Sequence, residues 1–506
     1  MPTPGLNHDF VTPVHGGQVA RCTASIDCYD ARMKLSGFLQ ALLLGACLVQ
    51  PALAAPAPSA SSPLPAHSPG SASAPLPGVE PGAEGPRAPA APPSASAQRL
   101  YDGARAKLLQ VRTLLRGQDS QASVGSGFLV TDGGHIITNY HVVSQVALQP
   151  DRYRLVFSSA DGKEGPLELL AFDVIHDLAL VRPVQPEVLH ERGALSFRAA
   201  KQILGRGERI YSLGNPLDVG FAVVEGNYNG QVERGFYSTI FFAGSLNPGM
   251  SGGPTLDEQG RVVGINVAAR RDGEQVSFLV PVEFAATLLE RGREAKPIKA
   301  AVYPELTRQL LSHQELLTQR FLKQPWRAAG HKRYRIPVPQ EEFIRCWGSN
   351  SASESRGLQF ERSDCEMDTA IYVNGRLLTG NLSVRHEAYD GSKLGTLRFA
   401  QRYSESFRNE SFGSRAGRRQ ATSPECQERY VEAGGLPLRA VMCMSAYKKL
   451  EGLYDMSLLV ATLDQSTSGV QGRFDVHGVS FDNALKLGAH YMQGFGWQAA
   501  TKTGSR

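Results

Sequence analysis

Cysteine is scarce in this chain: seven in 506 residues, with none between Cys47 and Cys346. No two cysteines are spaced C-x-x-C, which removes the usual ligand pattern of a structural zinc site. Charge of one sign is also lacking. Fifty-three basic against 48 acidic residues leave a net charge of +5, too little to make an electrostatic case for nucleic acid or an acidic substrate. At 506 residues the chain exceeds what one core usually organises, so two folded domains plus non-globular segments are expected.

The N-terminal region carries an export pattern. Arg32 and Lys34 precede an apolar run, Phe38 to Val49, that ends in Pro51-Ala52-Leu53-Ala54-Ala55, with small residues suited to cleavage after Ala54. Residues 33–54 are therefore read as a signal peptide starting at Met33, and residues 1–32 as a misassigned extension. Two alternatives stay open. Leu44-Gly45-Ala46-Cys47 resembles a lipobox, which would attach the chain to a membrane through a lipidated Cys47, and residues 35–54 match the roughly 20 residues of an uncleaved anchor. All three place the rest of the chain outside the cytoplasm, periplasmic or secreted. Residues 55–98 are dominated by Ala, Pro, Ser and Gly and read as a disordered linker, having too little apolar bulk to offset the entropy of ordering.

From residue 99 to 295 the pattern is that of one domain. Arg99 to Leu115 reads as a short helix. Short β-type runs then follow, Val124 to Val130 and His135 to Thr138, joined by the turn chemistry of Thr131-Asp-Gly-Gly134, which suggests a barrel or sandwich. Three polar residues stand out. His141 follows the second run and is placed at a strand end; Asp177 leads into the apolar run Leu178 to Val181; Ser251 lies in Asn247-Pro-Gly-Met-Ser-Gly-Gly-Pro254. His176 competes with Asp177, but adjacent strand residues face opposite sides, so only one of them can line a site. The glycines around Ser251 allow the N–H groups of Gly249 and Ser251 to turn towards one point, as an oxyanion hole requires.

His, Asp and Ser in this chain order match the arrangement of chymotrypsin-like enzymes. The stretch resembles an HtrA-type trypsin-like serine peptidase. Gly125-Ser-Gly-Phe128, Thr138-Asn-Tyr-His-Val-Val143, Asp177-Leu-Ala-Leu180, Leu213-Gly-Asn-Pro216, the Ser251 loop, Val263-Gly-Ile-Asn266 and Phe278-Leu-Val-Pro281 carry the likeness, over about one third of the chain. Met250 stands where this family usually has Asn. After residue 300 there is no recognisable PDZ layout, and no Ile-Val-Gly-Gly-like start precedes Val124 for activation in the trypsin manner.

The resemblance implies a chymotrypsin-like double β-barrel protease domain; strand signals further along the chain read as a separate β-rich (α+β) C-terminal domain, so the expected fold is mainly β. The resemblance also implies a serine endopeptidase with His141, Asp177 and Ser251 as triad and Gly249 and Ser251 as oxyanion hole, acting on polypeptides without cofactor or metal. By the family's pocket layout, Ser245 and Val267-Ala268-Ala269 would contact substrate, favouring small or medium apolar side chains. The competing reading is a non-catalytic or self-inhibited protease-fold binding module.

Residues 300–330 read as a helical connector with Leu306, Leu310, Leu317 and Phe321 on one face, and residues 335–500 as a β-rich domain of unassigned function, open to a cell-envelope partner. Asn374-Gly375 signals a type I′ hairpin, and Asp482 to Phe495 a last helix. Spacing pairs Cys346 with Cys365 and Cys426 with Cys443 as disulfides of an exported chain. Trp347 and Trp497 are expected in the core.

Overall fold

Leu108–Leu115 corrects the expected helix. Only Ala95–Ala104 is helical (α1), capped by the Ser94 side chain, which accepts from the Ala97 N–H; after a 3₁₀ turn, Leu108–Leu115 is strand β1. Leucines stand on both sides of its alternation, and both sides are largely covered, Gln110 and Thr113 being buried with them. Leu109 and Val111 join the core of the first barrel, whereas Leu108 joins the cluster beneath α1. A strand covered on two faces accounts for leucines on both sides of the alternation as well as a helix does.

The computed structural model describes residues 94–269, 275–351, 357–407 and 416–498. The expected N-terminal extension, the signal peptide with Cys47 and most of the linker lie outside the described residues. No helix among those described is long and apolar enough to cross a membrane.

Two closed six-stranded barrels follow α1. The first is β1, β2 (Gln121–Leu129), β3 (Ile136–Asn139), β4 (Tyr153–Ser159), β5 (Glu164–Asp173) and β6 (Leu178–Pro183), in the order β1-β2-β3-β6-β5-β4, with helix α2 (Tyr140–Leu148) leaving β3 directly. The second is β7 (Arg209–Gly214), β8 (Ala222–Gln231), β9 (Ile240–Ala243), β10 (Pro254–Leu256), β11 (Val262–Ala269) and β12 (Ser277–Pro281), ordered β10-β11-β12-β9-β8-β7. Phe128 and Leu180 of the first barrel share a cluster with Tyr211, Leu213 and Ile265 of the second, and α3 (Val282–Gly292) adds Leu288 to it. This shared apolar wall fixes one barrel against the other.

The C-terminal region is built on a seven-stranded antiparallel sheet. After helix α4 (Tyr303–Lys323) come short strands β13 (Arg327–Ala328), β14 (Tyr334–Arg335) and β15 (Pro337–Val338), then β16 (Ile344–Asn350), β17 (Gln359–Met367), the hairpin β18 (Ile371–Asn374) and β19 (Leu377–Thr379), and β20 (Leu382–Asp390). Helix α5 (Thr396–Ser406), β21 (Glu425–Ala433), β22 (Leu436–Ala446), β23 (Tyr454–Thr462), β24 (Ser468–Val479), helix α6 (Phe481–Gln493) and β25 (Gly496–Trp497) complete the chain. The large sheet runs β16-β17-β20-β24-β23-β22-β21. Its edge strands β16 and β21 are each stapled to the neighbouring strand, by Cys346–Cys365 and Cys426–Cys443, each bond joining residues directly opposite in register.

Three details differ from expectation. Trp347 is 69% exposed on the outer, solvent-facing half of edge strand β16, and Trp497 is also exposed on β25, which pairs only with the two-residue β14, so neither belongs to the core. The β18–β19 hairpin forms, but Gly375 is not left-handed, as a type I′ turn would require; the Asn374 side chain instead accepts from the Arg376 N–H, and the register shifts between Tyr372 and Asn374. The C-terminal region is also not isolated from the barrels. Leu306 and Leu310 of α4, with Ile371, Val373 and Leu377 of the hairpin, share one buried cluster with Tyr140, Val142 and Val143 of α2, whereas Leu317 and Phe321, further along α4, pack under the large sheet.

Candidate active site

His141 stands in the first turn of α2 rather than at a strand end. The first turn of a helix has N–H groups without intrahelical partners. Asn139, at the N-cap, makes no side-chain capping bond, and Asp177 takes over that role: its Oδ1 accepts from the His141 backbone N–H at 2.8 Å and its Oδ2 from Nδ1 at 2.6 Å. Since a carboxylate only accepts, the proton sits on Nδ1, and Nε2 of the neutral ring is left as the acceptor. Burial works against the charged imidazole, but the charge and hydrogen bond of Asp177 outweigh it and raise the His141 pKa above the ordinary histidine value.

Asp177 is itself held in an uncommon conformation. It has φ +55° in the turn between β5 and β6, and its carbonyl accepts from the Tyr140 N–H at 3.0 Å and from Asn139 Nδ2 at 2.8 Å. Asp tolerates this left-handed backbone better than most residues, and surrounding bonds must maintain it. His176 has separate partners. Its Nδ1 donates to Asp173 at 2.8 Å and its ring stacks on Phe284 at 3.7 Å.

Ser251 sits in a loop that the second barrel pins from below. Asn247 to Met250 form a turn closed by the Met250 N–H to Asn247 O bond at 3.1 Å, with Pro248 and Gly249 in the middle and Gly249 at φ +94°. Met250 is fully buried, among Ile210, Phe242, Leu246, Val263 and Leu279. The Pro248 carbonyl accepts from the Leu217 N–H at 2.8 Å; because a trans peptide points its C=O and N–H in opposite directions, the Gly249 N–H faces away from Leu217. Among the described residues no backbone hydrogen bond takes up the N–H of Gly249 or of Ser251. Gly252, at φ +86°, has room for no side chain, since a Cβ there would lie 2.3 Å from Ser126 O.

The Ser251 hydroxyl donates to Val267 O at 3.1 Å, and no hydrogen bond from it to His141 occurs among the described residues. Val267 is skipped in the pairing of β11 with β12, where Asn266 opposes Leu279 and Ala268 opposes Phe278. Such a bulge turns its backbone out of the ladder. Of the other expected substrate contacts, Ser245 is exposed in the segment after β9, and Ala268 lies in β11 beyond the bulge.

Two buried residues that support the loop, Ser126 and Asn266, stood in the sequence only as members of quoted motifs, with no role assigned to them. Ser126 donates through Oγ to Gly249 O at 2.7 Å and accepts from the Asn215 N–H at 2.9 Å. Asn266 donates through Nδ2 to Leu213 O at 2.9 Å and to Met250 O at 3.1 Å, while its Oδ1 accepts from Ser212 and Thr255. Their signal was limited to glycine-rich and strand contexts that resemble the family.

Residues 125–265 match the family described as trypsin-like peptidase domain. Serine protease Do-like HtrA of Bacillus subtilis is 27% identical over 298 residues, covering 55% of this chain and 60% of its own. Protease Do-like 1, chloroplastic, of Arabidopsis thaliana is 27% identical, over 34% of this chain and 41% of its own. The protein named "Probable periplasmic serine endoprotease DegP-like" of Brucella suis is 31% identical, over 30% and 29%. The chain thus spans less than two thirds of the length of these relatives. A crystal structure of the serine endoprotease from Yersinia pestis is similar at 22% identity and a TM-score of 0.34, covering 40% of this chain and 68% of that one.

Proposed function

From its HtrA-type trypsin-like peptidase domain, we propose that this chain is a serine endopeptidase that hydrolyses peptide bonds of polypeptides outside the cytoplasm. The observation that carries the reading is the two-point contact of Asp177 with His141, which leaves Nε2 as a base. In this mechanism Ser251 rotates from Val267 O to His141, gives its proton to Nε2 and attacks the substrate carbonyl. Asp177 holds the tautomer and stabilises the imidazolium. The tetrahedral oxyanion lies against the N–H groups of Gly249 and Ser251, supported by the absence, among the described residues, of any other backbone partner for either. Collapse expels the amine, which takes the proton from His141, and leaves an acyl group on Ser251. Water, deprotonated by the same imidazole, releases it.

Ser245, Val267 and Ala268 are proposed to contact the side chain before the scissile bond; the absence of an acid among them favours small or medium apolar residues. The export pattern at Arg32 to Ala55 and the periplasmic description of the Brucella relative support a location outside the cytoplasm.

A second reading, a self-inhibited module, is favoured by one observation, the engagement of the Ser251 hydroxyl by Val267 O. A tagged fluorophosphonate, which reacts with activated serines, separates the two. Labelling of the wild type and none of Ser251→Ala supports the endopeptidase. A folded wild type that stays unlabelled, and cleaves no unfolded polypeptide, supports the module.

A further inference from the structure

We propose that Tyr372, carried by the β18–β19 hairpin of the C-terminal region, is a positioning residue for His141, its ring holding the imidazole on Asp177 with Nε2 free for Ser251. The inference rests on the serine endopeptidase reading and deepens it by making the C-terminal region part of the active site.

The first ground is contact. The rings of His141 and Tyr372 are 6.0 Å apart at 75°, an edge-to-face arrangement within the range in which aromatic pairs attract. Ser144, three residues after His141 on α2, donates to His141 O at 3.1 Å and also faces the Tyr372 phenol. Tyr372 is half-buried in this position, over a partly exposed histidine.

The second ground is need. A histidine in the first turn of a helix has two free torsions, and Asp177 restrains only the Nδ1 edge of the ring. In the resting structure Ser251 does not restrain the other edge, because its hydroxyl is on Val267 O. Tyr372 packs against the imidazole from a different element, so rotation about the Asp177 contact meets a wall.

The third ground is that the wall is fixed. The buried Tyr140 phenol, next to His141, donates to Val373 O at 3.2 Å, and Ile371, Val373 and Leu377 are buried with Val142, Val143 and Ala147 of α2. At the base of the hairpin the Gly380 N–H donates to His477 O at 3.0 Å, Thr379 Oγ1 shares a 2.8 Å hydrogen bond with the Tyr447 hydroxyl, and His313 Nε2 donates to Gly380 O at 2.7 Å. The large sheet and α4 thus hold the hairpin while its apolar side chains enter the core of the first barrel.

Among the described residues, the titratable groups facing the imidazole are Asp177 and Tyr372. Burial raises the Tyr372 pKa, against the neighbouring Ser144 hydroxyl and with the charge of Asp177, so the phenol is neutral when the histidine acts. Removing the ring admits water, which stabilises the imidazolium and raises the pKa of His141. The base form then appears only at higher pH.

The test measures the fluorophosphonate labelling rate of the full chain against pH for wild type, Tyr372→Phe, Tyr372→Leu and Tyr372→Ala, with a thermal melt of each. Tyr372→Ala should be labelled about tenfold more slowly at neutral pH, with its acid limb moved to higher pH, whereas Tyr372→Phe keeps the ring and should stay within about twofold of wild type. Tyr372→Leu fills the space without an aromatic edge and should also be slow; it serves as the readout if Tyr372→Ala does not melt cooperatively. A folded Tyr372→Ala with the rate and limb of wild type, or a folded Tyr372→Leu with the rate of wild type, overturns the proposal, as does Tyr372→Phe as slow as Tyr372→Ala. An unlabelled wild type overturns the endopeptidase reading itself, so the two failures are distinct.

Discussion

Met250 shows how much one side chain of the nucleophile loop can decide. The residue departs from the asparagine usual in the family, and the structure gives the departure a purpose: the methionine is fully buried in the second barrel and pulls the loop down between Gly249 and Ser251. Met250→Ala is therefore expected to cost about 2–5 kcal/mol of stability, the range for deleting a buried methionine side chain. Urea denaturation measures it; a loss below about 1 kcal/mol would mean that the glycines and Asn266 hold the loop unaided. At the same scale, Ser251, His141 and Asp177 were legible as residue types in an order. The capping of α2 by the Asp177 carboxylate was not, because that bond joins segments far apart in the chain.

At the scale of elements, α4 does more than connect. Burial lowers the His313 pKa to about 4, against the hydrogen bond to Gly380 O, with His176 nearby adding to the lowering. The Gly380 carbonyl can only accept, so Nε2 carries the proton and Nδ1 accepts from the Tyr237 hydroxyl at 2.8 Å. One neutral histidine thereby ties the β8–β9 loop, α4 and the base of the β18–β19 hairpin together. The unfolded chain binds a proton at this residue from the ordinary histidine value downward, the folded chain only near pH 4, so stability falls as pH drops through that window, by about 3 kcal/mol in all. His313→Gln should flatten the pH dependence of the unfolding midpoint between about pH 4 and 6.5 relative to wild type; parallel curves would contradict this. The helical periodicity of α4 was readable from Leu306, Leu310, Leu317 and Phe321. That these four serve two different cores was not, since periodicity reports a buried face without naming what covers it.

At the scale of the whole molecule, the barrels and the C-terminal sheet are not independent bodies joined by a tether. The first barrel's core includes side chains from α4, the hairpin and the Tyr447 to Leu453 segment. A protein ending at residue 295 would leave Tyr140, Val142, Val143 and Ala147 with much of their cover gone. It should lose its cooperative melt and bind a hydrophobic dye, whereas residues 94–506 should melt cooperatively and leave the dye unbound. A monomeric, cooperatively melting short form, labelled by fluorophosphonate as fast as the full chain, would show that the catalytic barrels stand alone.

By itself the sequence determined the class of this protein. Glycine spacing around Ser251, apolar alternation and the order of His141, Asp177 and Ser251 are local properties, and they survive reading one residue after another. The disulfide pairs were also within reach, because each cysteine's partner is close along the chain. What only the tertiary structure decided is where side chains distant in sequence meet: Leu108–Leu115 as a strand once both of its faces are covered, the Asp177 carboxylate on the first turn of α2, and Tyr372 beside His141. Each depends on contacts spanning from tens to hundreds of residues, and neither propensity nor periodicity carries information about such distances.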